Sequence, residues 1–138
     1  MSDANKEVTL RLIEGFGQGR AEVIDELVAD DIVDHGRFEG MPEGREGVKA
    51  LLGAIHGAFP DLEITVNRAV AEGDFVVVHA TNSATMTGDF AGMPATGKHA
   101  TWDAIHIDRI SDGKVAEHWV VQDQLGMLQQ LGLVSGGN

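Results

Sequence analysis

The 138-residue chain contains no cysteine and no tyrosine, and its ten lysines and arginines stand against 22 aspartates and glutamates. The lack of cysteine excludes disulfide bonds and thiolate chemistry. The net charge of -12 argues against nucleic acid and anionic membranes as partners, because both require a basic surface. No apolar run is long enough to span a bilayer, and the N-terminus has neither the basic start nor the apolar stretch of a signal peptide. We therefore expect a cytoplasmic protein.

The length of the chain suits one domain, residues 1–138, with a core of its own. Apolar residues recur at helical spacing in residues 3–17, 21–29 and 43–59. The stretch DDIVDHG, before the third of these segments, is predicted to be a short strand or an extended exit. Beyond Pro60 the apolar period falls to two, which predicts a run of strands joined by turns. Helices followed by antiparallel strands indicate an α+β fold.

The last two strands meet at Asp112-Gly113, a dipeptide typical of tight hairpin turns. If the loop has two residues, directly opposed side chains share one face of the sheet, and two faces follow. The predicted inner face carries Trp102, Ala104, His106, Trp119, Val121 and Asp123. The predicted outer face carries Ile105, Ile107, His118, Val120 and Gln122. A single bulge would exchange the two sets on one strand.

Asp123 lies where the last strand stops and a final helical pattern begins. On the inner face beside Trp102 it would lose hydration, which favours uptake of a proton and suits acid/base chemistry. The same position suits the N-cap of the final helix, a role that aspartate favours. The two interpretations are compatible, and the residues alone do not decide between them.

The chain has six histidines, of which two are candidates for a binding site. His106 shares the predicted inner face with Asp123, about 13 Å along the strand, so the two could hold opposite ends of one ligand. His35, in VDHG, could line the mouth of a cavity or be a polar loop residue. No set of histidines and carboxylates has the spacing of a metal site, and nucleotide-binding fingerprints are absent, so we expect neither a metal nor a cofactor.

The order of elements resembles the NTF2-like superfamily and, within it, the SnoaL-like polyketide cyclases. The matching segments are ADDIVDH, GREGVKALLGAIHGAFPDLEITV, GDFVVVHATNSATMTGDFAGMPATGK and IHIDRISDGKVAEHWVVQDQLGMLQQLG. The resemblance implies a cone-shaped pocket, formed by N-terminal helices packed into the concave side of a curved antiparallel sheet. It also implies a homodimer and an acid/base role for Asp123, which follows Trp119 by four residues.

Other chemistries of the superfamily fit the residues less well. Ketosteroid isomerases and scytalone-type dehydratases depend on tyrosines, and this chain has none. Limonene-type epoxide hydrolases use an Arg-x-Asp on a middle strand, whereas the nearest stretch here is VVVHATN. A site with a single aspartate remains, which suits proton transfer at an already acidic carbon.

We therefore predict a polyketide or ester cyclase that closes a ring by an intramolecular aldol-type step on a small apolar or aromatic carbonyl substrate. Asp123 would remove a proton from carbon and return it to the new alkoxide, while His106 and His35 orient carbonyl oxygens. The apolar wall is expected to consist of Phe59, Trp102 and Trp119. A non-catalytic small-ligand binding protein, a dimer with a vestigial pocket, or another NTF2-like lyase, isomerase or hydrolase are the alternatives.

Overall fold

A computed structural model describes residues 2–134 of the chain. The helices are α1 (Ser2–Gly17), α2 (Glu22–Leu27), α3 (Gly44–Ala58) and α4 (Gln124–Leu131). The strands are β1 (Val28–Asp34), β2 (Glu63–Glu72), β3 (Phe75–Thr85), β4 (His99–Ser111) and β5 (Lys114–Gln122). Within the described range, no helix has both the length and the apolar character needed to cross a membrane.

The predicted α+β fold is confirmed: helices occupy the three predicted segments, and the strands form one curved sheet in the order β1-β5-β4-β3-β2. The sheet is antiparallel except at one edge, where β1 pairs with β5 in parallel. The stretch predicted as a short strand or exit is β1, whose residues Val28 and Ile32 are buried while Asp30 and Asp31 are not. Parallel pairing requires β1 to run beside a strand more than 80 residues later, which no local pattern reveals.

Two clusters of buried side chains form the core. In the first, Val48 and Leu52 of α3 pack with Val76 and Val78 of β3, because helical spacing brings the two α3 residues onto one side. The second cluster lies toward the other end of the sheet and contains Ala58, Phe59, Ala84, Met86, Ala100, Trp102, Met127 and Leu131. Residues of both clusters line the cavity described below.

The β4–β5 hairpin has the predicted turn, with Asp112 and Gly113 at φ 53° and 75°, as a type I′ turn requires. Pairing begins as predicted, between Ser111 and Lys114. The register then shifts by one, because Ala116 is bulged out of the ladder between Val115 and Glu117.

The bulge reverses the predicted faces of β5 and leaves those of β4 intact. On the inner face, which points to the helices, β4 presents Trp102, Ala104, His106 and Asp108, and β5 presents His118, Val120 and Gln122. Trp119 and Val121 lie on the outer face. The prediction that His106 and His118 lie on opposite faces is therefore wrong.

Candidate active site

A cavity of about 220 Å³ lies between the helices and the inner face of the sheet. Its wall is mostly apolar and includes Leu12, Phe16, Val48, Phe59, Trp102 and Met127. Within residues 2–134, the titratable side chains that line it are Asp34, His106, Asp108 and His118, and no lysine or arginine does so. A bound molecule would meet hydrocarbon over most of its surface and a small ionisable cluster at one place.

Three strands contribute a hydrogen-bonded chain to this cluster. Oδ1 of Asp34, the last residue of β1, lies 2.8 Å from Nδ1 of His118 on β5. Nε2 of His118 lies 3.1 Å from Nδ1 of His106 on β4, and the two rings are stacked with centroids 5.4 Å apart. The backbone N–H of Gly36 also donates to Oδ1 of Asp34, at 2.9 Å. Two hydrogen bonds to the same oxygen therefore hold the carboxylate in place, and the carboxylate in turn orients His118.

The members of the chain hold different charges. Burial lowers the pKa of His106 to about 4, and the nearby positive charge of His118 adds to this effect. Burial also acts to lower the pKa of His118, but the hydrogen bond to Asp34 and the charges of Asp108 and Asp34 outweigh it and raise that pKa. For Asp34, burial is outweighed by the hydrogen bond and charge of His118, so its pKa is lowered. His106 is therefore neutral at neutral pH and sits beside a histidine that binds its proton more tightly than a free imidazole does.

The protonation of His118 decides which hydrogen-bonding group His106 can offer to a ligand. A protonated His118 donates through both ring nitrogens, so Nδ1 of His106 must accept and its proton must be on Nε2. His106 then presents an N–H donor. If His118 loses its proton, the hydrogen bond between the rings reverses and Nε2 of His106 becomes an acceptor.

Asp108 is two residues beyond His106 on β4 and lies opposite His118 across the strand pair. Its Oδ2 accepts a hydrogen bond of 3.0 Å from the hydroxyl of Thr9 on α1. Its Oδ1 is the one buried side-chain polar atom in the described part of the chain that has no hydrogen-bond partner. Burial raises the pKa of Asp108. Such a carboxyl group is a candidate for proton transfer.

Asp123 does not lie in this cavity. Its side chain is exposed, and its Oδ1 accepts a hydrogen bond of 3.0 Å from the backbone N–H of Gly126. The N-cap interpretation is thereby confirmed. The predicted location on the inner face beside Trp102 is wrong, because the bulge at Ala116 shifts the end of β5 by one residue. The catalytic role of Asp123 stays a prediction.

The structure divides the other predicted site residues between the two faces of the sheet. Phe59, Trp102 and His106 line the cavity together, and the rings of Phe59 and Trp102 have centroids 6.2 Å apart. Trp119, expected on the inner face, instead stacks on His35 with centroids 5.0 Å apart and an interplanar angle of 10°. Nε2 of His35 is 2.8 Å from a carboxylate oxygen of Glu117. The substrate-binding roles of His35 and Trp119 stay predictions.

Sequence reasoning missed three members of the cluster. Asp108 could have been found, because strict alternation from His106 along β4 places it on the inner face. Asp34 could have been noticed only as the neighbour of His35 in VDHG. A regular hairpin register places His118 on the outer face, and the residues around Ala116 carry no evident signature of the bulge that reverses this placement.

The cluster has no evident metal-binding geometry. Across residues 2–134, no group of three or more histidines, aspartates and glutamates is arranged to hold a metal ion. The residues Asp34, His118 and His106 form a linear chain of hydrogen bonds, which engages both ring nitrogens of His118 and Nδ1 of His106.

Comparison with known proteins agrees with this architecture. The chain is 29% identical over 129 residues to the aklanonic acid methyl ester cyclase DauD of Streptomyces sp. (strain C5), covering 91% of this chain and 80% of that protein. It is 27% identical over 123 residues to the nogalonic acid methyl ester cyclase of Streptomyces nogalater, covering 88% and 92%. The structure of TsrD from Streptomyces laurentii superposes with a TM-score of 0.84 at 28% identity, covering 94% of this chain and 98% of that one.

The resemblance seen in the sequence is therefore confirmed at the level of fold and family. The family described as SnoaL-like polyketide cyclase matches residues 6–131, which is most of the chain and includes every residue of the ionisable cluster. The protein belongs to the SnoaL-like polyketide cyclase family.

Proposed function

We propose that the protein is a cofactor-independent cyclase that closes a ring in a small carbonyl compound by an intramolecular aldol-type step. The observation that carries this proposal is the pairing, at one end of an apolar cavity, of a buried carboxyl group with one unpaired oxygen and a neutral histidine. Asp108 can take up a proton, and His106 can donate a hydrogen bond. The same two functions are what an aldol closure needs.

The reaction would begin with removal of a proton from a carbon that lies between two carbonyl groups. Asp108 takes this proton, and its raised pKa makes it a stronger base than an exposed aspartate. The resulting enolate carbon attacks a second carbonyl carbon of the same molecule, and one carbon–carbon bond forms. His106, with its proton on Nε2, donates a hydrogen bond to the oxygen that becomes the alkoxide. Asp108 then returns the proton to that oxygen, so atoms and charges balance.

The apolar wall would supply the remaining contribution. A flexible chain folded against Phe59 and Trp102 holds its two reacting carbons close together, which replaces a bimolecular encounter with an intramolecular one. The absence of lysine and arginine from the described lining favours a neutral substrate over a free carboxylate. Methyl esters of polyketide acids, which the names of the relatives DauD and the nogalonic cyclase mention, are the first substrates to test.

The decisive experiment compares Asp108→Asn with Asp123→Asn, using aklanonic acid methyl ester and product detection by chromatography. In Asp108→Asn the amide would keep the shape of the side chain but could not accept a proton, so we expect turnover to fall by about two to four orders of magnitude. Asp123→Asn should change turnover less than about twofold, because asparagine caps a helix nearly as well as aspartate. The opposite result would return the catalytic role to Asp123. Binding of the ester without turnover by the wild type would favour a ligand-binding protein.

We also propose that the protein is a homodimer, formed through the outer face of the sheet. Ile105 and Val121 pair across β4 and β5 on this face and are 39% and 75% exposed, and Phe75 nearby is 43% exposed. Val120, expected here from the sequence, instead lines the cavity. Exposed apolar side chains on adjoining strands are typical of an interface, and two-fold dimers are the most common assembly.

Sedimentation velocity at micromolar concentration tests this assembly. The wild type should sediment as a dimer and Val121→Asp as a monomer, because the change buries an unpaired charge in the interface. Asp123→Asn is the matched control, since it lies near the same edge and should leave the dimer intact. A monomeric wild type would contradict the proposal.

A further inference from the structure

Asn82 is a polar side chain of the cavity that the proposed reaction does not use. It lies on the inner face of β3, is 9% exposed, lines the cavity, and forms no side-chain hydrogen bond with any described part of the chain. An amide that faces the cavity and has no partner in the protein depends on the contents of the cavity for its hydrogen bonds. A polar group of a bound molecule would supply the hydrogen-bond partner that the amide of Asn82 lacks.

The sheet register gives the distance between Asn82 and the ionisable cluster. Val78 lies opposite His106, and Asn82 lies opposite Trp102. Asn82 is thus four residues along β3 from the His106 row, which corresponds to about 13 Å. Both positions line the same cavity. A molecule that reaches both must be elongated.

The side chains between the two positions are small. On the inner face of β3 and β4, Ala80 and Ala104 form the pair that separates the Asn82 row from the His106 row. No long side chain of these strands therefore divides the two positions. Beside Asn82, the indole N–H of Trp102 donates to Gln122 at 3.0 Å, so this end of the cavity contains amides and an indole but no ionisable group of the described chain.

We propose that Asn82 is a specificity-determining residue that binds a neutral oxygen, a hydroxyl or a carbonyl, at the end of the ligand remote from the reacting carbonyl. The ligand class is an elongated, flat, uncharged molecule with oxygen functions at both ends. An amide suits both kinds of oxygen, since it can donate to a carbonyl and accept from a hydroxyl. This inference rests on the proposed function in using the same cavity, but it concerns binding and requires no turnover.

The test measures binding of three matched probes by quenching of tryptophan fluorescence. They are 2-acetylnaphthalene, 6-hydroxy-2-acetylnaphthalene and 6-acetyl-2-naphthoate, which share a ketone and differ at the opposite end of the ring pair. The wild type should bind the hydroxy ketone about three- to tenfold more tightly than the parent ketone, the gain expected from one neutral hydrogen bond. The anionic probe should bind more weakly than the hydroxy ketone, because the end of the cavity at Asn82 has no ionisable side chain among the described residues to pair with its carboxylate.

Asn82→Leu, which is nearly isosteric, should bind the parent ketone at least as tightly as the wild type and should lose the preference for the hydroxyl. Asn82→Ala should show the same loss of preference, and it provides the test if the leucine variant does not fold. Ser83→Ala is the matched control, because Ser83 is next along β3 but faces outward to His99. Equal binding of the two ketones by the wild type, absence of binding included, would overturn the proposal, as would a hydroxyl preference retained in both Asn82 variants. If the hydroxyl preference depends on Asn82 as expected while Asp108→Asn keeps full turnover, the binding role of Asn82 would be supported and the proposed chemistry refuted.

Discussion

Replacement of His106 by glutamine should make the protein more resistant to acid than the wild type. Glutamine can donate and accept hydrogen bonds much as a neutral imidazole does, but it does not titrate. In the wild type the folded chain holds His106 with a pKa of about 4, whereas an unfolded chain binds a proton at about 6.5. Between these values the unfolded state binds more protons, so this residue makes the free energy of unfolding fall as the pH falls.

The size of the effect follows from the shift. The pKa of His106 is about 2.5 lower in the folded chain than in the unfolded one, and each unit of this difference corresponds to about 1.36 kcal/mol. At pH 4 the folded state is itself partly protonated, which reduces the loss of unfolding free energy to about 3 kcal/mol. Other titratable groups also make the free energy of unfolding depend on pH in this range, and their contributions differ in sign. The raised pKa of Asp108 gives a contribution that is present at low pH and is lost as the pH rises through its folded value. The lowered pKa of Asp34 gives one that is present above its unfolded value and is lost in acid. Both residues remain in the variant, so their contributions cancel to first order in the difference.

Urea denaturation followed by tryptophan fluorescence, at several pH values from 7.5 to 4, measures this difference. At pH 7.5 the variant is expected to be no more stable than the wild type. By pH 4 the difference in unfolding free energy should have moved by about 3 kcal/mol in favour of the variant. Parallel curves for the two proteins would refute the reasoning, because they would mean that His106 is protonated as readily in the folded state as in the unfolded one.

Two further predictions concern the aspartates at the ends of β1 and β5. Asp34→Asn keeps an oxygen for His118 and Gly36 but removes the negative charge that raises the pKa of His118, so His118 should lose its proton at lower pH. Nitrogen-detected NMR of the histidine rings measures this titration, and an unchanged midpoint would contradict it. Asp123→Ala should lower the free energy of unfolding by about 1 kcal/mol, and Asp123→Asn by no more than about 0.5 kcal/mol, because only alanine removes the cap to Gly126. Equal losses in urea denaturation would contradict the capping role.

The fold was predictable from the sequence because the spacing of apolar residues along the chain identifies most of its helices and strands. Val48, Leu52 and their neighbours recur at the helical period, and the strands after Pro60 alternate at period two. The turn at Asp112-Gly113 was also predictable, since both residues need positive φ values that this dipeptide adopts readily. The parallel pairing of β1 with β5 depends on contacts between residues far apart in the chain, and no local rule favours it.

The site was predictable only on the strand whose register is regular. His106 and Trp102 lie on the expected face, because β4 alternates without interruption from His99 to Ser111. On β5 the same rule fails beyond Val115, so the prediction that Trp119 and Asp123 lie in the cavity is wrong. The cap at Asp123 was recognisable from its position before a helical pattern, and that local interpretation is the one that the structure confirms.

The bulged Ala116 also affects how this chain should be compared with its relatives. A sequence alignment of a hairpin such as β4–β5 can be shifted by one residue with little loss of identity. Each of the two alignments, however, assigns a different set of β5 residues to the face that lines the cavity. A relative that keeps a residue equivalent to Ala116 but pairs it regularly in the ladder would direct its counterpart of Trp119 inward and its counterpart of His118 to the surface, even with an identical strand. Loss of the bulged alanine would leave both faces as they are, because Val115 and Glu117 already occupy successive places in the ladder. Whether this one residue is bulged or paired therefore decides which set of β5 side chains lines the cavity, without altering any of the residues that are exchanged.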